Sequence, residues 1–78
     1  SIVFQDVTLF NNTVMENIRI GRQGATDEDV LAAAREAQCD EFVEKLPEGY
    51  QTMIGENGSM LSGGERQRIS IARALLKD

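Results

Sequence analysis

From Ser62 onward the chain has one strong option, a helix, and the rest of the molecule has to pack against it. Ser62 is a good N-cap residue, and Glu65 stands three positions on, where its carboxylate can reach back to complete a capping box. The stretch from Arg66 to Leu76 holds mostly good helix formers, and Ile69, Ala72 and Leu76 recur at helical spacing. The same pattern occurs twice upstream. Thr13 followed by Glu16 predicts a short helix over Val14 to Ile20 that stops at Gly21. Thr26 predicts another, with Asp27, Glu28 and Asp29 in the first turn, where the helix dipole favours them, and an apolar stripe of Val30, Leu31, Ala34 and Ala37. Asp40 is expected to cap a further short helix carrying Phe42, Val43 and Leu46, ended by Pro47 and Gly49. Tyr50 to Ile54 suits an extended segment, and Gly55 to Gly58 a loop. Ile2, Val3 and Phe4 read as the tail of a buried strand. The expected fold is mainly α with an N-terminal strand stub. Its core candidates are Phe10, Ile18, Leu31, Ala34, Phe42, Leu46, Ile69, Ala72 and Leu76.

A chain of 78 residues is one domain or less, and at this size folding buries only ~60% of the unfolded surface. Staples are scarce. Cys39 is the single cysteine, so no internal disulfide exists, and without histidine or a thiol cluster no zinc site can form. Cys39 is read as a small, partly buried apolar residue. The net charge of −5 is uneven. Arg66, Arg68, Arg73 and Lys77 outnumber Glu65 and Asp78 at the C-terminal end, and the remainder is strongly acidic. That balance argues against a nucleic-acid surface. No apolar run approaches the ~20 residues of a membrane span. Neither end reads as a natural terminus, and the sheet that the Ile2–Phe4 strand would join is expected to lie outside this sequence.

The chemistry is concentrated at Ser62-Gly63-Gly64-Glu65. A capped helix needs the serine and the glutamate, but not two glycines in its first turn. Each glycine costs roughly 1 kcal/mol against alanine in a helix interior. Glycines there make sense if something must approach the backbone. Bare N–H groups at a helix start, with no Cβ in the way and a hydroxyl beside them, suit a phosphate, and the arginines behind strengthen the field for an anion.

Read as Leu-Ser-Gly-Gly-Glu followed by Arg-Gln-Arg-Ile-Ser-Ile-Ala-Arg-Ala-Leu, the segment resembles the signature motif and helix of the ABC ATPases. The rest of the chain follows in order. Ile-Val-Phe-Gln-Asp, with Gln5, resembles the Q-loop at the end of a core strand. Leu9-Phe10 and Thr13-Val14-Met15-Glu16-Asn17-Ile18 resemble the stretch after it in exporter-type domains. Leu46-Pro47-Glu48-Gly49-Tyr50 and Thr52-Met53-Ile54-Gly55-Glu56-Asn57-Gly58 resemble the exporter X-loop region. The resemblance implies residues 1–12 as strand end and Q-loop, 13–60 as the helical subdomain of an α/β P-loop ATPase, and 61–78 as signature motif and helix. It implies ATP and Mg²⁺ as cofactors of the parent protein, and a second nucleotide-binding domain and membrane-domain coupling helices as partners. Ser62, Gly63, Gly64 and Glu65 would meet the γ-phosphate held by the other domain, and Gln5 would face the Mg²⁺ and attacking water. Glu56, Asn57 and Phe10 would face the coupling helices.

Two positions depart from the family pattern. Glu65 stands where glutamine is usual and brings negative charge near a triphosphate. Asn57 stands where a basic residue is usual, which removes a salt bridge. No Gly-x-x-x-x-Gly-Lys-Ser/Thr occurs, no Walker B strand follows, and there is no catalytic histidine. Phosphoryl transfer needs phosphate cradle, metal ligand and aligned nucleophile together, so this chain is expected to be inactive alone. The alternatives are a small stand-alone helical interaction module, an importer ATPase, or an SMC-like ATPase. The last would need a long coiled coil between Gln5 and Ser62, and no sustained heptads occur there. Amides from Ile69 to Leu75 are expected to exchange slowest and those from Val7 to Asn12 among the fastest.

Overall fold

A computed structural model describes residues 7–55 and 61–77. The expected strand at Ile2–Phe4, the Q-loop Gln5, and the X-loop residues Glu56, Asn57 and Gly58 lie outside the described residues. Four α-helices follow one another: α1 (Val14–Arg19), α2 (Asp27–Glu36), α3 (Asp40–Val43) and α4 (Gly63–Lys77). Two short strands, β1 (Asn12–Thr13) and β2 (Met53–Ile54), pair antiparallel with Asn12 opposite Ile54 and Thr13 opposite Met53. β2 falls within the Tyr50–Ile54 segment expected to be extended; its pairing with β1 is the new element.

Capping sets the helix starts. At α2 both halves of the box form: the Asp29 amide donates to Thr26 Oγ1 at 3.1 Å, and the Thr26 amide donates to Asp29 Oδ2 at 3.3 Å. At α1 only half forms. The Glu16 amide donates to Thr13 Oγ1 at 3.0 Å, but Asn12 Oδ1 takes the Thr13 amide at 2.8 Å. The Glu16 carboxylate turns instead to Arg19 Nε, 3.1 Å away. Arg19 also reaches the Ala25 carbonyl and Asp27, so it ties the end of α1 to the start of α2.

The backbone and side-chain hydrogen bonds of Thr26 hold the Asp29 carboxyl below its ordinary value of 3.8, with Arg22 assisting. A depressed carboxyl pKa means that the folded chain binds this proton more weakly than the unfolded one. The cap's contribution is therefore present above about pH 4 and is lost as pH falls further. Thermal unfolding followed from pH 6 to pH 2.5 should show a steeper acid-side fall for the parent chain than for Asp29→Asn. Parallel curves would contradict the assignment.

Three other expectations are corrected. Asp40 caps nothing: it is the first residue of α3, whose N-cap is Cys39, and its carboxylate accepts the Tyr50 hydroxyl. Tyr50 is not extended. Gly49, at φ 56°, opens a 3₁₀ turn over Gly49–Gln51, and Thr52 closes it by accepting the Glu48 amide on Oγ1 at 3.0 Å. Phe10, a core candidate, is 48% exposed, and Leu9 is buried in its place. Successive residues of extended chain point to opposite sides, and Asn17 fixes the Phe10 backbone so that Leu9 turns inward. Leu31 and Leu46 are half-buried at the core's rim.

Ile69, Ala72 and Leu76 of α4 are buried against α1 and α2, beside Val14, Ile18, Val30 and Ala34. Removing the Val, Ile and Leu side chains from water is worth ~1.5–3 kcal/mol each, and an alanine methyl roughly 0.8 kcal/mol. A 15-residue helix is marginal alone, so this packing holds α4 in place. Cys39 is fully buried, and burial pushes its thiol up to about 12, as the apolar reading expects.

Candidate phosphate-contact site

Helix α4 begins with the capping box expected from its sequence. The Glu65 amide donates to Ser62 Oγ at 3.2 Å, and the Ser62 amide donates to Glu65 Oε1 at 2.9 Å. The Ser62 carbonyl takes the Arg66 amide at 3.0 Å. Among the described residues, nothing accepts from the amides of Gly63 and Gly64, the orphan donors of a helix first turn. Ser62 Oγ is used as an acceptor, so its own proton can be donated outward. Ser62, Gly63 and Gly64 are all exposed.

The glycines are not there for packing. A Cβ added at Gly63 meets nothing within 4 Å, and at Gly64 it meets only Ser62 Oγ at 4.0 Å. Gly21 is the contrast. Its Cβ would lie 2.8 Å from Arg73 Cα and 2.9 Å from the Arg73 carbonyl carbon. Gly21 is required by the approach of the chain after α1 to α4. Among the described residues, nothing fills the space beside Gly63 and Gly64. The arrangement offers two amides, a hydroxyl and the positive end of a four-turn helix, which fits a phosphate oxygen set.

The surrounding charge is less positive than the sequence suggests. Arg68 is drawn sideways to Glu41, 3.3 Å away, and to the Gln38 carbonyl at 3.4 Å. Arg73 lies far along the helix and points to α1. Of the arginines, Arg66 stands in the opening turns. Glu65 keeps its carboxylate on the Ser62 amide, so its charge is partly satisfied by the helix start itself. Among the described residues no group of acidic or thiol side chains converges to hold a metal ion.

Phe10 occupies a different place. With the exposed Ile20 it lines a shallow cleft beside Asn12, Glu16 and Arg19, and none of the Ser62–Glu65 residues borders it. The stretch expected to be loosest is pinned there: Phe10 donates its amide to Asn17 Oδ1 at 2.8 Å, and Asn12 donates to the Phe10 carbonyl at 2.7 Å. Sequence reasoning missed Asn17 and Arg73. The signal was present, because Asn17 falls among Val14, Met15 and Ile18, and a polar residue on an apolar face must find partners.

Comparison with known proteins identifies the family. The ABC transporter family model matches residues 1–78. The ATP-dependent lipid A-core flippase of Legionella pneumophila is 58% identical over 78 residues, covering 100% of this chain and 13% of the flippase. The mitochondrial iron-sulfur clusters transporter atm1 of Aspergillus fumigatus is 57% identical over 99% of this chain and 11% of its own length. The β-(1→2)glucan export ATP-binding/permease protein NdvA of Brucella abortus is 59% identical over 97% of this chain and 13% of its own. A solved bacterial Atm1-family ABC exporter with ATP bound superposes at a TM-score of 0.86 with 51% identity, over 95% of this chain and 13% of that one. The chain thus spans about one eighth of the length of these relatives. Since the family match takes in every residue and an exporter shares the fold, the chain belongs to the ABC transporter family and is of the exporter-type nucleotide-binding domain.

Proposed function

We propose that this chain supplies one wall of an ATP site completed by a second nucleotide-binding domain, in a protein that couples ATP hydrolysis to export across a membrane. The Ser62 hydroxyl and the Gly63 and Gly64 amides hold the γ-phosphate from across the dimer. Bound ATP supplies the phosphoanhydride bond, and this chain orients its terminal phosphate and excludes bulk water on that side. Glu65 holds the helix start in shape. Gln5 faces the Mg²⁺ and attacking water of its own domain. Phe10, with Glu56 and Asn57, faces the coupling helices of the membrane domain, on the cytoplasmic side. Alone, the chain hydrolyses nothing. The observation that carries this reading is the glycine pair, which costs helix stability while leaving open space over unpaired amides.

The cargo is not encoded here. Relatives named for a lipid, an iron–sulfur cluster and a glucan match this stretch at 57–59% identity. No helix among the described residues is long and apolar enough to cross a membrane.

The test is a photoreactive ATP analogue carrying its label on the γ-phosphate. In the full-length protein it should mark the peptide containing Ser62 to Glu65, and unlabelled ATP should compete. Labelling that spares this peptide would contradict the reading. The isolated chain should show neither phosphate release nor micromolar nucleotide affinity. Phe10→Ala should cost little thermal stability, since the residue is 48% exposed, while lowering export per ATP consumed.

A further inference from the structure

Asn17 is 0% exposed and makes a hydrogen-bonded hub. Its Oδ1 accepts the Phe10 amide at 2.8 Å. Its Nδ2 donates to the carbonyls of Phe10 at 3.0 Å and Thr13 at 2.9 Å, with that of Asn12 at 3.4 Å. One side chain thus fixes the path of the segment from Phe10 to Thr13. Arg73 approaches the hub from α4. Its Nε donates to the Asn17 carbonyl at 2.7 Å and its Nη2 to Asn17 Oδ1 at 3.4 Å. The Asn17 carbonyl is open to this because the Gly21 amide bonds the Ile18 carbonyl instead, leaving Asn17 as an orphan acceptor at the end of α1. Among the described residues Arg73 has no carboxylate partner, and it is half-buried. Its charge is spent on the C-terminal end of α1, where the helix dipole favours a cation. Gly21 packs directly on the Arg73 backbone. From Ser62 to Arg73, α4 is one uninterrupted lever of ~16 Å at ~1.5 Å per residue.

We propose that Arg73 is a positioning residue of the ATP site: clamped on Asn17, it holds the Phe10–Thr13 segment and the Ser62 helix start as one body, so that displacing the Phe10 face moves the phosphate contacts with it. This rests on the reading that Ser62, Gly63 and Gly64 meet phosphate. The residue type fits the task. A guanidinium presents two donors in a fixed fork to two oxygens of the same residue, which a lysine ammonium on a flexible stem cannot do in one geometry.

The test uses the full-length protein with spin labels on cysteines placed at the exposed positions Asn11 and Ser70, in a background without other reactive thiols. Buried Cys39 can remain. The distance between labels should be narrowly distributed in the parent, broader in Arg73→Lys and broadest in Arg73→Met. Turnover per folded molecule should fall on the order of tenfold in Arg73→Met, the scale on which sub-ångström misplacement acts, with KM for ATP within about twofold. Arg73→Lys should lie between them, and it decides the matter if Arg73→Met fails to fold. An unchanged distance distribution overturns the proposal. So does broadening with unchanged turnover per folded molecule, which would leave Arg73 a purely structural clamp. If the γ-phosphate analogue spares Ser62–Glu65, the ATP-site reading fails, and the proposal with it. The distances then still report whether the clamp exists.

Discussion

Gly63→Asp should abolish ATP turnover in the full-length protein, by at least ~100-fold, while leaving this chain as stable as before. The two halves of that expectation have separate causes. On the stability side, a Cβ at position 63 meets nothing within 4 Å, and the residue is exposed at the first helical position. Aspartate in a first turn is favoured by the helix dipole. Losing the glycine also removes a backbone-entropy penalty, so the melting temperature should hold or rise slightly. On the functional side, the carboxylate would stand beside the two amides that are to receive phosphate. Like charges ~4 Å apart at an effective dielectric near 20 oppose each other by ~4 kcal/mol. Even two thirds of that corresponds to roughly 100-fold in rate. Ser62→Ala makes the milder comparison, losing a cap worth ~1 kcal/mol along with one phosphate contact. Phosphate release and thermal unfolding, measured on the same preparations, separate the effects. Retained turnover in Gly63→Asp would remove phosphate from this helix start altogether.

Gly21→Ala should do the reverse, destabilising the fold by ~3 kcal/mol through overpacking. The added methyl would meet the Arg73 carbonyl oxygen, Cα and carbonyl carbon. These are backbone atoms inside a helix, so no side chain can rotate away to make room. Either the end of α1 or the middle of α4 must shift, and both carry core residues: Ile18 on one side, Ile69 and Ala72 on the other. A shift would also lengthen the 2.7 Å bond from Arg73 to the Asn17 carbonyl. For a chain this small such a loss is a large part of the total stability. Urea unfolding of Gly21→Ala beside Gly63→Ala checks it. The second change should be neutral or stabilising by up to ~1 kcal/mol. Equal midpoints would show that the chain relaxes around position 21 without loss.

The helix starts that close over three positions were legible in the sequence. The boxes at Thr26 and Ser62 close over three positions, so the starts of α2 and α4 were legible, as was the stripe that buries Ile69, Ala72 and Leu76. The signature stretch was legible for the same reason, since a serine, two glycines and a capping glutamate act together in one helical turn. Competition among neighbouring groups, and contacts between helices, set the rest. Thr13 and Glu16 have capping-box spacing, but Arg19 takes Glu16 because Arg19 is also needed at Asp27. The end of α2 closes with Gln38 at φ 65°, where glycine is the usual residue. The Cys39 amide reaches the Ala34 carbonyl and the Gln38 amide that of Arg35, so local hydrogen bonds, with Cys39 buried behind them, hold the turn without a glycine. Gly21 looks like a helix stop, yet its need comes from Arg73, a residue of another helix. Asn17 decides that Leu9 is buried and Phe10 exposed, and it is itself held by Arg73. The contacts of Arg73 with Asn17 and Gly21 join residues far apart in the chain, and they exist only once α1 and α4 have been brought together by their apolar faces.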